Sequence, residues 1–460
     1  MNGARGSWWL VVAFALTLPA VTPRIYASDE VQYFAYLRSL WFDGDVSFEN
    51  DYQRFYDRGI AADAGFHETF LERTTETGRR INFGTIGCAL LWSPFYAVAD
   101  AGVALAGGVR DGDSWPYVAA VAYGSAVYGL LALLLAVPLA RELTGRGPGA
   151  AFAVWFGTPL LFYMLIAPPM SHACSAFAVA LFVWVWWRAR RRWSFRGAVA
   201  LGLAGALMAM VREQDALFAA GPALDLALTL REQVWLRHGR DARQTLRAAA
   251  TAGVALALGL LPQLAAYQAL NGYPGPSRLV RRKMDWTAPH LIEVLASPAH
   301  GFLVWTPLAA LALAGLAWLA LAGGRTREAV SDRRRFALCA LVMIALQAYV
   351  AGSVESWTVA GAFGQRRFVA LTALLVVGLA ALSEAARSRP ARTALGLACA
   401  AGIWWNLGLM VQFGAGLMDR QRMEPARNAY TSFVALPRQA PGLAYRYLFD
   451  RESFYRRKEP

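Results

Sequence analysis

Residues 8–45 read WWLVVAFALTLPAVTPRIYASDEVQYFAYLRSLWFDGD, an apolar run that gives way to a polar segment opening on two adjacent carboxylates. The run 8–23 has the character of a membrane crossing, since ~30 Å of hydrocarbon takes about 20 apolar residues in a helix. A secretory signal would want a small residue three positions before the cut, and Ile25-Tyr26-Ala27 does not supply it. The expectation is an uncleaved first span with Arg5 held inside and the carboxylates at its outer end.

The rest of the chain repeats the apolar theme. Further apolar segments cover 116–140, 150–167, 171–187, 197–211, 216–230, 248–268, 302–321, 336–352, 367–386 and 394–413, which predicts about eleven spans. Hydrophobic residues make up 57% of the 460 positions and charged residues 17%, against roughly 25% charged in a soluble domain. These segments mostly lack the polar face that a soluble core helix keeps. The sequence therefore reads as an all-α polytopic integral membrane protein, with residues 1–413 as its membrane domain and 414–460 as a polar tail, placed outside.

Charge orients it. The net charge of +14 sits in short bursts between apolar segments, at 188–192, 231–247, 325–335 and 387–392. That is the pattern of cytoplasmic loops, and it argues against nucleic acid as a partner. Keeping every basic loop inside requires 81–107, which contains Pro94 and Asp100, to be an outer juxtamembrane or re-entrant element. The outer face then collects the loop 24–107, the turn at 168–172, the tetrad Arg212-Glu213-Gln214-Asp215, the loops 269–301 and 353–366, and the tail. Cys88, Cys174, Cys339 and Cys399 are far apart in apolar segments, so neither a zinc site nor a disulfide framework is expected. His67 and Glu68 have no second His at ligand spacing, and no metal site is assigned there.

The loop 24–80 carries 11 of the 31 acidic residues. Ser28 is placed as the cap of a helix whose first turn holds Asp29 and Glu30, where the helix dipole favours negative charge. Tyr33, four residues after Asp29, shares its face. The aromatics Tyr33, Phe34, Tyr36, Trp41 and Phe42 suit a helix lying at the membrane interface. From the residues alone, the acidic pair reads either as helix-end charges in a wet loop or as the carboxylates of a site.

A first span followed by a long outer loop that opens with an Asp-Glu pair on a juxtamembrane helix resembles the GT-C superfamily of membrane glycosyltransferases. Protein O-mannosyltransferases and aminoarabinose lipid A transferases are members. The segments PMSHACSAF (169–177), VREQD (211–215) and FGQRRF (363–368) are similar to segments of uncharacterised bacterial members. Arg79-Arg80 stands where relatives carry a basic or His residue before Pro-Pro, and this chain has Ile81-Asn82 instead. The resemblance covers the layout from residue 8 to about 413.

What the resemblance implies is an inverting enzyme of the bacterial inner (plasma) membrane, with its active site on the periplasmic or extracellular side. It would take a sugar from a polyprenyl phosphate or diphosphate and pass it to a hydroxyl of a glycan, lipid or protein. Asp29, or alternatively Glu30, would be the general base. Tyr33, Arg79, Arg80, His172, Arg212, Gln214, Arg281, Arg282, Gln365, Arg366 and Arg367 would bind substrate, the cations meeting the phosphate as its charge develops. Each cation also has a plainer reading: snorkelling or headgroup contact for Arg366 and Arg367, an ion pair with Asp215 for Arg212, and anionic lipid for 278–283. His172 can equally cap the helix that follows it. Glu355 and Trp357 would line the acceptor entrance or stand at the interface. No cofactor is firmly implied; some members use a divalent cation and others do not. The competing reading is a multi-span transporter or lipid flippase, which would more often show internal repeats and midplane charges.

Overall fold

The computed structural model describes residues 7–61, 63–191, 193–235, 239–321, 327–359 and 361–451, and the side chain of Arg281 lies outside the described residues. Among the described residues the protein is helical throughout, with no strand beyond an isolated bridge between Thr74 and Arg80. By length and composition, seven helices are suited to cross a membrane: Gly87–Leu105, Trp115–Thr144, His172–Ala189, Ala242–Asn271, Asp332–Ser353, Arg366–Ala385 and Arg389–Gly414. Trp8–Ala20, Phe195–Val211 and Pro307–Leu321 are shorter apolar helices. The protein is a multi-pass membrane protein, and its chain divides into two compact units.

One unit comprises residues 22–132 and 167–285. Its segment 24–80 is folded, and the acidic residues explain how. Buried Arg38 donates from one nitrogen to Asp43 and Asp51, at 2.9 Å each, and from Nε to the Asp111 carbonyl at 3.1 Å. Asp113 takes Arg54 and Arg58, both at 3.2 Å. Many of the loop's carboxylates therefore tie its turns together. Of the aromatics expected at the membrane interface, Trp41 is 40% exposed, while two others lie in the core of the loop. Phe34 and Tyr36 are fully buried, and Phe34 meets Phe55 and Tyr96 edge-on at 5.7 and 6.2 Å. They form a small core beneath the loop because the Gly87–Leu105 helix supplies the opposing surface.

That helix lies in the segment 81–107, expected as an outer juxtamembrane or re-entrant element. It runs unbroken for 19 residues. Pro94 cannot donate to the Leu90 carbonyl, but the Ser93 hydroxyl does, at 2.8 Å. Asp100 is neutralised by Arg110 at 2.5 and 2.9 Å and bonded by Tyr117 and Trp41 at 2.8 and 3.2 Å. Both supposed helix breakers are compensated by side chains the local pattern does not reveal. At the helix start, a Cβ on Gly87 would stand 2.3 Å from the Met210 carbonyl carbon and the Val211 nitrogen, so only glycine permits this contact with Phe195–Val211.

The other unit comprises residues 1–21, 133–166 and 286–460. Its tightest contact joins Pro307–Leu321 to Thr372–Ala385 through small residues. A Cβ on Gly315 would lie 1.8 Å from the Gly378 carbonyl oxygen, and one on Gly378 would lie 2.2 Å from that of Ala312. Segment 150–167 is two helices, Pro148–Gly157 and Leu160–Leu165, broken at Thr158. The Asn406 amide donates to the Phe156 and Thr158 carbonyls at 2.9 and 3.0 Å across that break. The tail is helical rather than irregular, running Pro425–Tyr430, Thr431–Ala435 and Leu436–Phe449 without interruption.

Candidate active site

The site is built from the start of the Ser28–Arg38 helix. Ala27, with extended backbone, occupies the cap position expected for Ser28, and Asp29 and Glu30 lie in the first turn as the sequence indicates. Glu30 is buried, and its Oε2 accepts the Tyr26 and Ala27 backbone N–H groups at 2.6 and 3.1 Å. These are donors that a helix N-terminus otherwise leaves without a partner in the helix. Asp29, 100° away around the helix, is half-buried. The two carboxylates thus occupy different surroundings.

One turn on, Gln32 clasps the segment 82–84 to this helix. Its Oε1 accepts from Phe83 N at 2.8 Å and its carbonyl from Asn82 Nδ2 at 3.0 Å, while Asn82 Oδ1 accepts from Gly84 N at 2.7 Å. The clasp sets Gly84 against the Tyr33 ring. Gln32 was not singled out in the sequence. Tyr33 carries the electrostatic link across the site. Burial raises its phenol to about 12, the Arg212 charge and the Ser171 hydroxyl pull the other way, and Asp29 adds a negative field. Tyr33 thus stands within the fields of both Asp29 and Arg212.

Arg212 ends the Phe195–Val211 helix in extended conformation and donates to His172 Nδ1 at 3.2 Å. His172 is buried at the first position of its own helix. The turn to Asp215 is closed through the backbone, Asp215 N donating to the Arg212 carbonyl at 3.0 Å. Asp215 accepts the Ser175 hydroxyl at 2.5 Å and is fully buried. Burial lifts its pKa to about 6, against the opposing pull of Arg212 and Ser175. Glu213 accepts the Tyr267 hydroxyl, and burial raises its pKa as well. Gln214 Nε2 is buried without a partner, a donor available to something bound.

The remaining cations divide. Arg79 donates to the Ala269 carbonyl at 2.6 Å, and Arg80 to Glu49 at 2.5 Å and the Glu72 carbonyl at 3.0 Å, so both brace the loop. Arg282 is exposed at the end of the short Arg278–Arg282 helix. Lys283 lies over the Phe83 ring at 5.2 Å, bringing this segment to the 82–84 clasp. His67 pairs with Glu72 at 3.0 Å.

In the other unit, Gln365 is buried and donates to the Trp357 carbonyl at 3.0 Å. Arg367 donates to the Ser356 carbonyl at 3.0 Å and its hydroxyl at 3.2 Å, tying the loop 353–366 to the helix that follows. Trp357 stacks on His290 at 5.3 Å. Arg366 is half-buried, with a field that reaches His300. His300 went unremarked in the sequence. It is fully buried, stacks on Trp305 at 4.7 Å and donates from Nε2 to the Ala362 carbonyl at 2.9 Å. Burial pushes its imidazole down, towards the neutral form. Among the described residues no group of three or more His, Cys, Asp or Glu side chains is arranged to hold a metal ion.

No protein-family model and no curated protein matches the sequence. Among solved structures, the chain is similar to the crystal structure of ArnT from Cupriavidus metallidurans bound to undecaprenyl phosphate. The TM-score is 0.54 and the identity 15%, over 97% of this chain and 79% of that one. The fold is of the GT-C type.

Proposed function

We propose that this protein is a glycosyltransferase that moves a sugar from a polyprenyl-phosphate carrier to an acceptor hydroxyl on the non-cytoplasmic side of the membrane. The observation that carries the proposal is the grouping of the Asp29 carboxylate with the Arg212–His172 pair around Tyr33. The likeness to a structure that holds undecaprenyl phosphate supports a carrier of that class. Asp29 takes the proton of the acceptor hydroxyl as its oxygen attacks the anomeric carbon. The bond from that carbon to the phosphate oxygen breaks in the same step, with inversion. The lipid phosphate leaves towards Arg212, whose guanidinium His172 holds in place, with the Gln214 amide as a further donor. Glu30, which satisfies two backbone N–H groups, serves as the structural partner of Asp29 rather than as an equal alternative.

The test uses purified protein in detergent with polyprenyl-phosphate sugars and acceptor extracts, scoring release of lipid phosphate. No membrane compartment is present, so a transporter or flippase yields none. Asp29→Asn is expected to lower the rate by at least ~10²-fold, the scale of general-base catalysis, with insertion intact. Arg212→Gln is expected to cost a similar ~10²-fold through the leaving phosphate. Full activity in Asp29→Asn would falsify the assignment.

A further inference from the structure

We infer that the tail Pro425–Phe449 is a membrane-surface helix whose outward apolar side is seated in lipid. The inference does not depend on the catalytic reading, and it rests on where the tail is fastened. On its inner side, Asn428 Nδ2 donates to Gln412 Oε1 at 2.8 Å, and Gln412 Nε2 donates to the Ser432 hydroxyl at 2.8 Å. The Trp404 indole donates to the Ser432 carbonyl at 2.8 Å, and the Phe433 ring stacks on Trp405 at 6.3 Å. Gly408 leaves room for this, since a Cβ there would stand 2.5 Å from Ser432 Oγ.

Residues 404–412 belong to the body of the Arg389–Gly414 span. Ten residues separate Trp404 from Gly414, about 15 Å of helix. The tail therefore turns back and runs beside the span instead of standing beyond its end. Its far end is fastened to the close of the first apolar helix. Tyr447 donates to the Ala20 carbonyl at 2.8 Å, and Arg451 to the Pro19 and Val21 carbonyls at 2.6 and 2.7 Å. Both fastenings are flanks of membrane helices.

The side turned away from these contacts is apolar. Tyr430 and Val434 recur at helical spacing, as do Tyr445, Leu448 and Phe449; Phe449 is 74% exposed, and Tyr430 and Tyr445 are each 64% exposed. This surface continues that of the spans beside it, where Leu16 and Leu397 are exposed as lipid-facing residues of crossing helices are. Residues 414–451 carry six arginines (420, 422, 427, 438, 446 and 451) against Asp419, Glu424 and Asp450. An excess of arginine beside an apolar face is the pattern of a helix lying among anionic headgroups, its guanidinia reaching up to the phosphates.

The test uses the full-length protein with Cys399→Ser, reconstituted in nanodiscs containing phosphatidylglycerol. A single cysteine is placed by Val434→Cys, Tyr445→Cys or Phe449→Cys and labelled with an environment-sensitive fluorophore. Gln439→Cys, on the sector of Arg446 and Asp450, is the control. All four positions are exposed, so the docked side is undisturbed. Chain-labelled nitroxide lipid is expected to quench 434, 445 and 449 at least twofold more than 439, with aqueous iodide giving the reverse order. Iodide quenching at 445 and 449 equal to that at 439 overturns the inference, because the tail is then in water. Protection from both quenchers overturns it too, because protein, such as a second copy of the chain, then covers the face.

Discussion

Glu30 and Asp29 show how one position along a helix separates two carboxylates. Glu30 accepts two backbone donors at the helix start, so Glu30→Gln is expected to lower thermal stability by about 1 kcal/mol, the scale of a lost cap, while turnover stays within severalfold of the parent. Comparing melting temperature with rate in the same preparation checks this. Asp215 predicts a pH dependence. Its native pKa of about 6 lies above its ordinary value of 3.8, so between about pH 4 and 6 the folded state holds more protons than the unfolded one. Its contribution to stability is then largest below pH 4, falls as pH rises through 6, and is level above that. Asp215→Asn keeps an acceptor for Ser175 and should flatten the slope of melting temperature over that window. An unchanged slope would mean that Asp215 does not titrate there.

Helix contacts in this protein turn on whether a backbone can approach. Gly378→Leu places a side chain where the Ala312 carbonyl already is, and overpacking of that kind costs about 1–3 kcal/mol or more. Gly396, in the Arg389–Gly414 span, has open space beside it. The expectation is loss of monodisperse protein on size exclusion for Gly378→Leu and a normal profile for Gly396→Leu. The apolar segments were legible in the sequence because lipid imposes length and composition on each span separately. That Gly87–Leu105 runs as one continuous helix was not legible, because its compensation comes from residues, such as Arg110 and Tyr117, whose proximity to Asp100 only the fold provides. The candidate site divides the same way. The acidic pair stands out in the sequence, as do His172 and Arg212. The Gln32–Asn82 clasp and buried His300 left no local pattern, since their partners lie 50 and 62 residues away.

At the scale of the whole molecule, the expectation that Arg366 meets the phosphate requires Asp29 and Arg366 to face the same side of the membrane. Asp29→Cys and Arg366→Cys, each labelled in intact cells with a membrane-impermeant maleimide, are expected to react from the same side; opposite sidedness would remove Arg366 from any phosphate site. The broken segment at Thr158 carries a different consequence, for how the protein is made. Carbonyls freed inside a bilayer need a donor, and here the donor is Asn406, 248 residues later than Thr158. At about 5–20 residues per second, a ribosome reaches Asn406 about 12–50 seconds after Thr158. Pro159 already breaks the nascent helix there, since it cannot donate to the Trp155 carbonyl and disfavours helical backbone at Thr158, so the break forms early and the Asn406 amide, arriving with the Arg389–Gly414 span, completes its hydrogen bonding late.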